Sequence, residues 1–269
     1  MLTSLRKAFI LLTLATASTI AAIVHAAPGS TPGAASLLPA SALPTARAVR
    51  EQGLVDDLAY EMLRSLTTEV GPRPAGSDGD RRAVAWAVAR LKALGFANVR
   101  AESVKVPHWI RGTARAEIVG PWAQPMVAAA LGGSVATPVE GLEAEVLAVA
   151  SLEELKSIRP ERVSGRIVFF HGRMERTRDL SGYLKAVAVR GRGAIEAAKL
   201  GAVGVVIRSV GTSNDRIAHT GAMRYESGVT RVPALALSNP DADLLERQLA
   251  GGQPVRVRLR NDSMWADST

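Results

Sequence analysis

Residues 193–207 read GAIEAAKLGAVGVVI, and this stretch decides the fold class. Its first eight residues favour a helix, and Gly201 stands where a helix is closed by a C′ glycine. Val203, Val205, Val206 and Ile207 follow as a β-branched run, which predicts a strand over 203–207. The same alternation extends outward in both directions. Short β-like runs fall at 115–119, 142–149, 166–171, 232–237 and 255–259, separated by Gly/Pro turns. Helices are expected at 152–157, 193–200 and 241–250, the last following Asn239-Pro240. This order makes an α+β module of about 140 residues, an ordinary domain size.

Upstream of Pro107 the texture differs. A helical period begins near Ala46, with Leu54, Leu58, Met62 and Leu66 apolar and Asp56, Asp57, Glu61 and Arg64 between them. GPRPAGS at 71–77 forces a loop. Ser77 or Asp78 then caps a second helix over 80–94, closed by Gly95, and 98–106 reads as a strand. This is the opening of an α/β domain. The expected fold class is therefore α/β, α+β overall, with no internal repeat.

The N-terminus carries an export signal. Arg6 and Lys7 precede an apolar run at 8–24, and Val24-His25-Ala26 offers small residues at −3 and −1. Residues 1–26 are expected to be a signal peptide, and 27–45, rich in Pro, Gly, Ser and Ala, a disordered linker. The apolar run is short for a membrane span, so no stable membrane anchor is expected. The product is expected to be secreted or periplasmic. The sequence has no cysteine, which excludes a lipoprotein anchor, disulfides, thiolate metal sites and thiol catalysis. The net charge of +8 invites a search for nucleic-acid contacts, but the basic residues are scattered and aromatics make up 4% of the chain. No stacking platform is visible, and no nucleic-acid partner is expected.

Local motifs carry little chemistry. Gly191-Arg192-Gly193 resembles a phosphate loop, but Glu196 stands where a dinucleotide fingerprint needs its third glycine. It reads instead as a glycine-rich helix start packed close to a strand. After signal cleavage three histidines remain, His108, His171 and His219, none with paired ligand spacing. His219, in a polar loop with a glycine, is the substrate-pocket candidate. Glu153 and Glu154 splay by about 100° on one helix and read as surface charge. Arg256, Arg258 and Arg260 alternate with Val255, Val257 and Leu259, a half-buried strand with a basic face. No serine lies in a G-x-S-x-G context. No catalytic or metal-binding residue is legible from these patterns.

Several segments together carry a resemblance. They are EVGPRPAGS (69–77), VPHWIRG (106–112), GGSVATP (132–138) with Glu140-Gly141, GRIV (165–168), GAIEAAKLGA (193–202), IRSV (207–210) and HTG (219–221). In order and spacing this set resembles zinc metallopeptidases of family twenty-eight, and closely one branch of carboxypeptidases among them. The resemblance implies that 46–112 opens the peptidase α/β domain. It also implies that 113–262 is an inserted protease-associated domain and that 263–269 begins the return to the peptidase domain. In that family the zinc ligands and catalytic glutamate follow the insert, beginning with a His-x-Asp strand end. None can be carried over to a position here. The implied function is an exported zinc-dependent exopeptidase for dipeptides or short peptides, represented by an N-terminal portion. Zinc is expected for the full-length enzyme and none for this chain. The implied partner is a peptide substrate, with a homodimer left open. The alternative is a non-catalytic exported binding protein built on the protease-associated domain.

Overall fold

The computed structural model describes residues 39–266. The expected signal peptide, most of the expected linker and the last three residues lie outside that range. The chain forms two compact units, divided between Ser65 and Leu66.

In the first unit the single helix expected from Ala46 is two. Helix α1 spans Leu43–Val55 and α2 spans Leu58–Ser65. Asp56 is extended, and its Oδ1 accepts the Leu58 N–H at 2.6 Å, so it closes one helix and caps the next. The linker expected to reach residue 45 gives way earlier, to a 3₁₀ turn at Ala40–Ala42 and then α1. Pro44 sits in the first turn of α1, where its missing N–H costs no hydrogen bond.

The second unit opens with a π-helical turn, Leu66–Val70, and helix α3, Asp78–Ala93. Ser77 caps α3 by accepting the Asp80 N–H, and Asp80 reaches back to accept the Gly76 N–H at 2.9 Å. The strand expected at 98–106 does not form. Asn98 takes a left-handed turn at φ 57°, Val104 is exposed, and none of the described strands pairs with this segment.

Ten strands are described: β1 His108–Ile110, β2 Ala114–Gly120, β3 Gln124–Met126, β4 Ala128–Ala130, β5 Leu142–Val149, β6 Ile167–Phe170, β7 Gly204–Arg208, β8 Ala234–Leu237, β9 Arg256–Asn261 and β10 Met264–Ala266. Eight of them form one sheet in the order β3-β2-β9-β5-β6-β7-β8-β4. Strands β5 to β8 run parallel, while β4, β9, β2 and β3 pair antiparallel at the two sides. Helices α4 (Leu152–Ser157), α5 (Pro160–Val163) and α6 (Ser181–Lys199) cover one face, and α7 (Asn239–Ala250) covers the other. Every residue of β6, β7 and β8 is buried. Parallel strands covered on both faces must be apolar throughout, as the IVFF, GVVIR and ALAL runs are apart from Arg208.

Helix α6 begins twelve residues before the expected Gly193, and Gly191 and Gly193 lie inside it rather than at its start. Tertiary packing overrides glycine's weak helix propensity at this point. A Cβ on Gly193 would come within 2.9 Å of the Phe170 ring, so the glycine lets α6 approach β6.

The expected boundary at 112/113 falls where two chain segments meet. β1 pairs antiparallel with β10, Trp109 opposite Trp265. The Gly112 N–H donates to Ser263 Oγ at 3.1 Å and the Asp262 N–H to Thr113 O at 3.2 Å.

Gly193 and Gly191 of α6 give opposite expectations. Gly193→Val should destabilise by about 1–3 kcal/mol through overpacking against Phe170. Gly191→Ala, whose Cβ meets nothing within 4 Å, should stabilise by about 0.5–1 kcal/mol. Urea unfolding midpoints of the two variants check the pair.

Candidate functional site

Three segments distant in sequence converge beside the β1–β10 ribbon. The Trp109 indole donates from Nε1 to Ser134 O at 3.0 Å, and the Trp265 indole to Gly133 O at 3.2 Å. The Arg111 guanidinium lies 4.7 Å above the Trp109 ring and donates to Ala130 O. The same carbonyl accepts the Thr220 hydroxyl at 2.6 Å. The 130–134 turn is thus tied to the ribbon on one side and to the 219–223 loop on the other. Gly132 and that loop exchange main-chain bonds of 2.8 Å, Gly132 N–H to Gly221 O and Met223 N–H to Gly132 O. Gly133 has φ 96°, and a Cβ there would press on Met223 O at 3.2 Å, so a side chain is excluded twice over.

Beneath the turn lies a buried polar network. Ser134 is fully buried, and its Oγ accepts the Ala234 N–H at 2.9 Å. The Asn261 amide donates to Val135 O at 2.8 Å. The Tyr225 hydroxyl donates to Val232 O and accepts the Val135 N–H. Burial pushes the Tyr225 phenol above its ordinary pKa, so it stays protonated and able to donate.

His219, the substrate-pocket candidate, sits exposed on this loop. Its N–H donates to Ser209 Oγ at 2.8 Å, which fixes its backbone at the end of β7. Arg216 anchors the other flank of the loop. Its guanidinium pairs with the buried Asp241 carboxylate at 2.9 Å and donates to Pro125 O. Burial pushes the Asp241 carboxyl up, but hydrogen bonds from Arg216, Ser238 and the Val127 N–H outweigh it and hold the pKa below the ordinary value.

The three described histidines lie apart in role. His108 is in β1, His171 follows β6 with Nδ1 3.3 Å from Glu246 Oε1, and His219 is in the loop. Among the described residues, no three His, Cys, Asp or Glu side chains gather into a group that could hold a metal ion. The donors among the described residues do not fit a zinc site. The Thr220 hydroxyl is hydrogen-bonded to a carbonyl, and Ser134 is fully buried, so neither is poised as a nucleophile. What the arrangement supplies is a hydrogen-bonded platform that presents the 219–223 loop. Sequence spacing gave no sign of it. Trp109 and Trp265 meet across a whole module, and Arg111 finds its acceptor only through the fold.

The chain is 37% identical to carboxypeptidase Q of Bos taurus over 208 residues, which cover 77% of this chain and 43% of that protein. Identity to the Homo sapiens protein is 34% over the same number of residues. Over this length the chain is similar to carboxypeptidase Q. A peptidase M28 precursor from Shewanella amazonensis has the same fold at TM-score 0.81 and 46% identity, covering 84% of this chain and 51% of that one. The chain spans less than half the length of the curated relatives it matches. No protein-family model matches it.

The loop anchor gives a pH expectation. A carboxyl whose folded pKa is depressed stabilises the fold above its unfolded pKa of about 3.9, and that stabilisation is lost as the pH falls through the folded value. Asp241→Asn should cost about 2–3 kcal/mol at pH 7 and should flatten the acid limb of stability against pH. Unfolding curves of both proteins from about pH 6 down to pH 3 test this. Parallel limbs would show that Asp241 does not carry the effect.

Proposed function

We propose that this chain contributes part of an exported, zinc-dependent exopeptidase that hydrolyses dipeptides or short peptides. The observation that carries the reading is the 46% identity and 0.81 TM-score shared with the peptidase M28 precursor. Residues 46–112 open the peptidase α/β domain in this proposal, and 113–262 form an inserted protease-associated module. The pairing of β1 with β10 supports it, because an inserted module must be entered and left side by side. Export is supported by the charged start, apolar run and Val24-His25-Ala26 site. No helix among the described residues is long and apolar enough to cross a membrane.

The chain's own contribution is positional. Arg111, Trp109, Trp265 and Thr220 lock the 130–134 turn and the 219–223 loop to the ribbon, and His219 stands exposed on that loop to face a bound peptide. Zinc, when bound, would supply the Lewis acid and the activated water of peptide hydrolysis. Its ligands are assigned to sequence that the relatives have beyond the length matched here.

The test compares this chain with a product extended to the length of its relatives. Zinc is measured by plasma mass spectrometry, and turnover by release of free amino acids from dipeptides. The expected result is far less than one zinc per short chain and no metal-dependent release, with both present in the long product. One tightly held zinc with turnover in the short chain would overturn the assignment. An extended product lacking both would favour a non-catalytic binding protein.

A further inference from the structure

The outer face of β2, β9 and β5 carries a ladder of charges, and nearly all of it is matched. Arg258 pairs with Glu117 at 2.8 Å and Glu143 at 2.7 Å, and Arg256 pairs with Glu143 at 3.1 Å. One rung is not matched. Arg115 of β2 stands directly opposite Arg260 of β9. Among the described residues neither guanidinium forms an ion pair or a side-chain hydrogen bond. Like charges directly opposite on neighbouring strands destabilise a sheet, and no ion pair among the described residues offsets the cost of this rung.

The same two arginines line a cleft of about 570 Å³, within the range of ligand-binding clefts. Its other walls are largely apolar, from Pro138, Val139 and Met264. Val139 is fully exposed on this lining. Asp262 also lies on the lining, but its carboxylate is turned onto the Gly112 main chain and pairs with neither arginine.

We propose that this cleft binds an acidic peptide segment, with Arg115 and Arg260 together taking its carboxylates and Pro138, Val139 and Met264 covering its aliphatic parts. Two adjacent guanidiniums suit side-chain carboxylates, which they can engage in forked pairs. The apolar walls argue for a peptide over a small inorganic anion, which would leave them wet. Binding of the acidic segment relieves the repulsion between the two strands. The proposal is independent of the peptidase reading and involves no turnover.

Fluorescence anisotropy of a labelled, end-blocked tetraglutamate peptide on the full chain tests it, beside the tetraglutamine counterpart. The tetraglutamate should bind, the tetraglutamine should not, and the affinity should fall with added salt. Arg115→Gln or Arg260→Gln should each weaken binding at least tenfold. Arg256→Gln, on the same face but already paired, should leave binding within about twofold. Arg260→Gln should also raise the melting temperature by about 1–3 °C as the repulsion is removed. Equal binding of the two peptides would overturn the proposal, as would an equal loss in Arg256→Gln or full displacement by millimolar phosphate. A lower melting temperature in Arg260→Gln would show a structural role for that arginine and would also overturn it.

Discussion

Four parallel strands, β5 to β8, can exist here only if both of their faces are kept from water. Successive side chains point to opposite faces, so each strand sends one half of its apolar set to each side. Val168, Phe170, Val205 and Ile207 meet α4 and α6, while Ile167, Phe169, Val206 and Leu235 meet α7. Fully burying one such side chain stabilises the fold by roughly 1.5–3 kcal/mol, so losing either helical layer would expose enough surface to undo it. Helix placement, Gly193 of α6 against Phe170 and the ion pairs of Arg208, the one buried arginine among the described residues, all follow from that requirement. Arg208 is tolerated at the end of β7 because Asp243, Glu246 and two main-chain carbonyls receive its guanidinium.

Strands and helices of this covered core were legible in the sequence because their periods and end signals are local. β5 and α4 stand at the positions their patterns indicate, and Gly95 and Gly201 both close helices with positive φ. What could not be read depends on partners far along the chain. The 98–106 segment has a strand-like composition, but a strand exists only with a neighbour to hydrogen-bond. The first twelve residues of α6 hold only weak periodicity, and their helix is set by packing. Asp56 divides α1 from α2 because a short carboxylate can replace a main-chain acceptor, a competition that apolar spacing does not reveal.

The candidate site was less legible than the fold. His219 has a polar setting in the sequence, and the residues that tie its loop to the turn are its neighbours Thr220 and Gly221. The residues that hold the platform are a tryptophan pair, an arginine over an indole ring and a buried serine. None forms a local motif, and each acts through a main-chain carbonyl or amide that only the folded chain brings near. Three of the stretches that carry the resemblance to family twenty-eight peptidases, VPHWIRG, GGSVATP and HTG, meet there. In this fold they are parts of one hydrogen-bonded junction.

That junction is the central claim, and native-state hydrogen exchange tests it most directly. If the indole and arginine contacts make the 130–134 turn part of the core, the amides of Gly132, Met223 and Ala234 open only with the amides of β6 and β7. They would then share one opening free energy and one denaturant dependence. Exchange at Gly132 and Met223 that is orders of magnitude faster than in β6, with no denaturant dependence, would contradict it. The turn and the His219 loop would then be separately mobile and not a platform held by the sheet.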